Sequence, residues 1–208
     1  MAYLVLVRHG QSEWNAKSLW TGWTDVGLTE LGREQARAAG EIIKDLTFDV
    51  CFTSALKRAK ETWSEISRVI GAENVKTISD TALNERDYGD LTGKNKWEVK
   101  EQLGEEEFLK IRRSWDYPPP NGESLKDVYE RVVPYYLSMI LPELEKGKNV
   151  IIAAHGNSLR ALVKLLDNIS DDEIAKLEMK LGEPYVYEID GAGKVVSKEI
   201  RSIGSDAA

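Results

Sequence analysis

Two apolar runs in this chain end in the same way. Tyr3-Leu4-Val5-Leu6-Val7 leads into Arg8-His9-Gly10, and Val150-Ile151-Ile152-Ala153-Ala154 leads into His155-Gly156. Continuous β-branched and aliphatic runs read as strands buried on both faces of a parallel sheet. Such a sheet needs helices to cover it, so these two runs restrict the chain to the α/β class.

The intervening sequence supplies those helices. Thr29 is the expected N-cap of an amphipathic helix whose apolar positions are Leu31, Ala36, Ala39, Ile42, Ile43 and Leu46. Residues 48–53 read as a strand and 56–70 as a helix with Ala59, Trp63, Ile66 and Ile70 inward, followed by a short strand at 75–78. Residues 82–94 carry turn residues and no period, which marks a long functional loop. Two charged helices are expected at 96–103 and 105–114. Pro118-Pro119-Pro120-Asn121-Gly122 stops any helix, and Ser124 caps a further one to about 145 with Pro134 and Pro142 inside it. Ser158 is expected to open a helix to 166, and Ser170-Asp171-Asp172-Glu173 has the form of a capping box. Residues 185–200 read as a hairpin turning at Asp190-Gly191-Ala192-Gly193. No repeat or linker interrupts the pattern, so residues 1–208 are expected to form a single domain.

Bulk properties exclude several function classes. The 208 residues carry a net charge of -7, which removes the basic footprint of a nucleic-acid binder. An anionic ligand would therefore have to find a local basic pocket. The single cysteine, Cys51, lies in an apolar run and reads as a buried hydrophobe with no disulfide to make. No signal peptide or membrane-spanning run is recognisable, so a cytoplasmic location with no membrane partner is expected.

Only two histidines occur, and both follow a strand run. Ligands of open α/β sheets bind at the carboxyl ends of strands. A metal site is disfavoured because Arg8 adjoins His9 and no metal-binding spacing occurs. A Gly-x-Ser-x-Gly elbow and a P-loop are also missing. Covalent catalysis at histidine fits better. The imidazole must be neutral to attack, and an adjacent arginine opposes a second positive charge. The same arginine offers a planar fork to phosphoryl oxygens, and Gly10 is expected to let the backbone approach a phosphate.

Arg8-His9-Gly10-Gln11-Ser12-Glu13-Trp14-Asn15 resembles the signature of the histidine phosphatase superfamily. The extension through Trp14 and Asn15 resembles its phosphoglycerate mutase branch, the type dependent on 2,3-bisphosphoglycerate. Further matches run along the chain: Thr21-Gly22-Trp23, Thr53 through Ala59, Leu83 through Gly89, Asn95-Lys96, Arg112-Arg113 and Ile151 through Arg160. The resemblance implies a three-layer α/β/α fold with a mostly parallel central sheet.

It also implies roles. His9 would carry the phosphoryl group, surrounded by Arg8, Arg58 and His155, with Asn15 and the backbone of Gly156 as further donors. Glu85 would be the general acid and base. Tyr88, Lys96, Arg112 and Arg113 would hold the substrate's carboxylate and its other phosphate, and Thr21, Gly22, Arg86 and Asn157 would complete the binding site. On the residues alone, Glu85 reads as an ion-pair partner of Arg86, Lys96 and Arg112-Arg113 as solvated surface, and Trp14, Trp20 and Trp23 as core. The implied activity interconverts 3-phosphoglycerate and 2-phosphoglycerate, primed by 2,3-bisphosphoglycerate and without a metal. A phosphatase, a bisphosphoglycerate synthase and a non-catalytic binding module are the competing readings. Longer members carry an insertion after the Arg-Arg pair and an extended tail, both reduced here, so a monomer or homodimer is expected.

Overall fold

The computed structural model describes residues 1–202. Its strands are β1 (Ala2–Arg8), β2 (Val50–Ser54), β3 (Lys76–Asp80), β4 (Val150–Ala154), β5 (Pro184–Ile189) and β6 (Val195–Ile200), in the order β3-β2-β4-β1-β5-β6. The first four positions in that order run parallel, and β5 and β6 add antiparallel. The helices are α1 (Glu13–Ala16), α2 (Glu30–Ile42), α3 (Lys57–Ile70), α4 (Lys96–Leu103), α5 (Glu105–Arg113), α6 (Leu125–Tyr135), α7 (Leu141–Glu145) and α8 (Gly156–Leu166).

Strand alternation divides the core into two layers. Leu4, Leu6, Phe52 and Ile152 pack with Val128 and Val132 of α6 and Leu159 and Leu162 of α8. Val5, Val7, Cys51 and Ile151 point the other way, onto Ala36 and Ala39 of α2 and Trp63 and Ile66 of α3. Both strand faces are therefore dry, as their sequence requires, and each large apolar side chain so buried contributes roughly 1.5–3 kcal/mol. Burial also pushes the Cys51 thiol well up, so it is inert as a nucleophile.

Most expected elements form, with informative differences. Thr29 caps α2 by accepting from the Gly32 N–H, but Leu31 is 47% exposed and lies off the inner stripe. The long loop 82–94 is built on two short 3-10 turns, Thr81–Leu83 and Gly89–Leu91. Arg131 staples its start by donating to the carbonyls of Ala82 (2.9 Å), Asn84 (3.0 Å) and Glu85 (2.9 Å). Pro134 and Pro142 do not end the helix after Ser124. They bracket a π turn, Tyr136–Ile140, between α6 and α7, where the Ser138 hydroxyl donates to the Pro134 carbonyl. Ser170 does cap, but only a 3-10 turn at Glu173–Lys176. The hairpin at β5–β6 forms as expected. Expectations about the tail beyond Ser202 fall outside the described residues. Among those described, no helix is long and apolar enough to cross a membrane.

Candidate active site

β1 and β4 are adjacent and parallel, with Arg8 opposite Ala154. His9 and His155 therefore leave the sheet at the same level, and their rings meet edge-on at 5.0 Å between centroids. The His9 N–H donates to the Ala154 carbonyl at 3.0 Å, extending the ladder by one bond. β2, on the other side of β4, ends at Ser54, so three strand ends converge. Gly10 serves a different contact from the one expected of it. A Cβ there would stand 2.1 Å from the Gly32 carbonyl oxygen, and one at Gly32 would stand 2.1 Å from that of Gln11. The two glycines let the backbone after β1 lie directly on α2, which fixes His9 from behind.

The helix after β4 begins at Gly156, two residues earlier than expected. Ser158 is its N3 residue and accepts from the His155 N–H at 3.1 Å, so it caps backward instead of starting the helix.

The two histidines are oriented in opposite ways. His9 Nδ1 lies 2.7 Å from the Gly10 carbonyl, which can only accept, so Nδ1 carries the proton and Nε2 keeps its lone pair. Burial, then Arg58 and Arg8, hold its pKa well below 6.5, so the ring is neutral at physiological pH. His155 is instead held through Nε2, 2.6 Å from the Ser54 hydroxyl. The Leu56 N–H already donates to that oxygen at 3.2 Å, which leaves the hydroxyl proton for His155 and its N–H at Nδ1. Burial and Arg58 lower the His155 pKa as well.

Around His9 lies a cavity of about 40 Å³ lined by Arg8, Asn15, Thr21 and Arg58. Arg58 is anchored by donating to the carbonyls of Gly22 (2.8 Å) and Thr24 (2.9 Å). Asn15 accepts through Oδ1 from Ser12, leaving its amide NH₂ to donate. Arg8 Nε, Arg58 Nε, Thr21 Oγ1 and His155 Nδ1 are buried polar atoms with no protein partner. Unsatisfied buried donors are costly, and their concentration here marks a place built for an oxygen-rich anion.

A second lobe of about 80 Å³ adjoins it, sharing Arg8, Glu85, Tyr88 and Lys96 and adding Arg112, Arg113 and Asn157. Glu85 stands between the lobes. Its Oε1 accepts from the Arg86 N–H (2.9 Å), the Asn157 N–H (3.1 Å) and Asn157 Nδ2 (3.1 Å). Three donors saturate Oε1, so a proton can enter only at Oε2. Asn157 is itself fixed by Arg160, whose guanidinium donates to Asn157 Oδ1 at 2.9 Å and to the Ile174 carbonyl at 2.7 Å. The Asn157 amide also reaches the Tyr88 hydroxyl at 3.0 Å. Burial, then Arg112 and Arg8, bring the Lys96 pKa down to about 8. The acidic chain thus does concentrate cations in one pocket.

A model of the histidine phosphatase superfamily (branch 1) matches residues 4–200. The chain belongs to the histidine phosphatase superfamily. Within this superfamily it is 55% identical over 199 residues to the 2,3-bisphosphoglycerate-dependent phosphoglycerate mutase of Chelativorans sp. (strain BNC1), covering 95% of this chain and 97% of that one. The mutase of the same name from Parvibaculum lavamentivorans is also 55% identical, with 95% of each chain covered. Among solved structures, a mycobacterial glucosyl-3-phosphoglycerate phosphatase superposes with a TM-score of 0.83 at 25% identity, covering 99% of this chain and all of that one. Bacillus stearothermophilus YhfR superposes with a TM-score of 0.82 at 27% identity, covering 100% and 98%.

The superfamily fold brings most of the expected residues to one cavity, but two stand apart from its walls. Arg86 makes no ion pair with Glu85. It is fully buried behind Tyr88, 4.8 Å over that ring, and donates to the Ile111 carbonyl at 3.0 Å, so it braces α5. Gly22, at φ +52°, contributes a carbonyl to Arg58. Trp20 is buried on Tyr88 at 4.6 Å, whereas Trp23 is 44% exposed and donates to the Glu85 carbonyl at 2.6 Å. Ser54, Arg160 and Glu178 escaped the sequence reading. Ser54 and Arg160 sit inside the matched segments 53–59 and 151–160, which was the available signal; Glu178 had none. Among the described residues no cluster of three or more histidine, cysteine, aspartate or glutamate side chains is placed to hold a metal ion.

Proposed function

We propose that this chain, acting as one cytoplasmic domain, interconverts 3-phosphoglycerate and 2-phosphoglycerate by relaying a phosphoryl group through His9. The observation that carries the reading is the two-lobed cavity, with a neutral nucleophile in one lobe, a cation clamp in the other and one carboxyl between them. Close relatives bearing the mutase name support it.

His9 Nε2 attacks the phosphorus in line with the departing oxygen, and Arg8, Arg58, His155 Nδ1 and the Asn15 amide meet the equatorial oxygens. Glu85 Oε2 gives its proton to that departing oxygen and takes one from the attacking hydroxyl in the reverse transfer. Lys96, Arg112 and Arg113 hold the carboxylate and the phosphate that is not reacting, so either phosphate can be presented to His9. When bound, 2,3-bisphosphoglycerate supplies the phosphoryl group that primes His9, and the unpartnered donors of the first lobe suit it. The chemistry assigns no step to a metal.

The solved structures of similar fold include a phosphatase, which makes hydrolysis the competing outcome. The test is product analysis with 3-phosphoglycerate, with and without a trace of 2,3-bisphosphoglycerate, following 2-phosphoglycerate and free phosphate together. Isomer formation dependent on the trace, with little free phosphate, is expected. Free phosphate without isomer would overturn the mutase reading in favour of a phosphatase.

A further inference from the structure

The clamp lobe already contains a carboxylate. Glu178 lines the same cavity as Arg8, Lys96, Arg112 and Arg113. Its Oε1 lies 3.1 Å from Arg113 Nη2 and 4.0 Å from Arg112 Nη2. The residue lies in the irregular segment between the 3-10 turn Glu173–Lys176 and β5. The backbone of that segment is tied to the site. The Met179 carbonyl accepts from Arg8 Nη1 at 2.7 Å, and the Gly182 N–H donates to the Arg8 carbonyl at 3.0 Å. The Glu178 side chain, by contrast, is 57% exposed, so it can turn into water without disturbing that backbone. Partial burial raises its pKa, but Arg113 and Arg112 outweigh this and hold it below the usual carboxylate value, so it is charged at neutral pH.

We propose that Glu178 is a specificity-determining residue of the clamp, an internal carboxylate that competes with the ligand's anionic groups for the guanidinium forks of Arg113 and Arg112. The inference rests on the proposed role of these arginines in holding the anionic end of the substrate. It follows from charge and reach. A carboxylate of fixed charge beside the clamp repels a ligand in proportion to the ligand's own charge, so a bisphosphorylated acid loses more than a monophosphorylated one. Each guanidinium–carboxylate contact of Glu178 must also be given up before the ligand can make its own. Glu178 thereby narrows the affinity gap between the bisphosphate and the monophosphates and keeps the bisphosphate exchangeable. The displaced pair is partly solvated, which sets the scale at several-fold.

Glu178→Gln keeps the shape and an oxygen for Arg113 while removing the charge, and Glu178→Ala removes both. Binding of 2,3-bisphosphoglycerate and of 3-phosphoglycerate to the wild type, to both Glu178 variants and to Arg112→Ala is measured by titration calorimetry at one fixed ionic strength. Both Glu178 variants are expected to bind the bisphosphate ~3–10-fold tighter, with a smaller gain for 3-phosphoglycerate. Unchanged or weaker binding, or an equal gain for both ligands, would overturn the role of Glu178. If Arg112→Ala weakens binding in that same case, the clamp itself stands. If Arg112→Ala changes nothing, the clamp assignment fails and the inference falls with it.

Discussion

The lobe around His9 is made from strand ends and buried side chains, whereas the lobe around Arg112 and Arg113 is made from a helix end and an irregular segment. In the first, every charged group but the arginines is neutral by burial. His9 and His155 are held uncharged, each with one ring nitrogen tied and the other turned to the cavity. In the second, cations face one another and a carboxylate tempers them, with Lys96 depressed to about 8 by burial, Arg112 and Arg8. The contrast matches the tasks. Bond-making needs one geometry fixed to a fraction of an ångström. Holding an anionic tail that must be presented both ways round needs charge with some freedom of geometry.

The sharpest way to break this division is at the nucleophile. His9→Ala should lower turnover by at least ~10⁴-fold and abolish acid-labile phosphate incorporation, with its circular-dichroism spectrum unchanged. Turnover near wild type would remove His9 from the chemistry. Arg112→Ala should act on the other lobe, raising the dissociation constant of 2,3-bisphosphoglycerate by ~10-fold or more, as loss of a charged hydrogen bond does, with a smaller effect on kcat. A fall confined to kcat would place Arg112 in the reacting lobe and erase the distinction.

Ser54→Ala tests whether the tautomer of His155 matters. It should reduce kcat by up to ~10-fold, the scale of one neutral hydrogen bond, while KM shifts little. An equal change in both would make Ser54 a packing residue. The smallest effect concerns Lys96. Its charge fades above pH 8, so KM for 3-phosphoglycerate should rise several-fold as pH increases past that point, and Lys96→Arg should flatten the rise. The unliganded protein should move the opposite way. Between about 8 and 10.5 the unfolded chain holds the extra proton, so raising the pH favours the folded state. A KM independent of pH in the wild type would take Lys96 out of the clamp.

The reacting lobe was the more legible of the two because its signals are local. A buried-strand run followed by His-Gly occurs twice, and strand ends are where α/β sheets bind ligands. What the pattern could not carry was the adjacency of β1 and β4, or the close approach of Gly10 to Gly32, since both join segments far apart in the chain. The clamp was visible only through family resemblance, because Lys96 and Arg112 look like any surface cations until α4 and α5 fold them inward. Glu85 beside Arg86 suggested an ion pair. The structure instead turns Arg86 away to the Ile111 carbonyl and gives Glu85 backbone and amide donors. Adjacent side chains on an extended loop point apart, so sequence proximity misled there.

The place of β1 in the sheet also bears on biosynthesis. It is the first strand to leave the ribosome, yet both its neighbours, β4 and β5, are encoded in the last third of the chain. Through most of translation its apolar residues and both of its backbone edges must wait without their native partners, which invites chaperone attention and mispairing. The same order makes truncated products harmless as catalysts. A chain released before His155 has neither the second imidazole nor the strand that sets the first, so activity arrives only with near-complete synthesis.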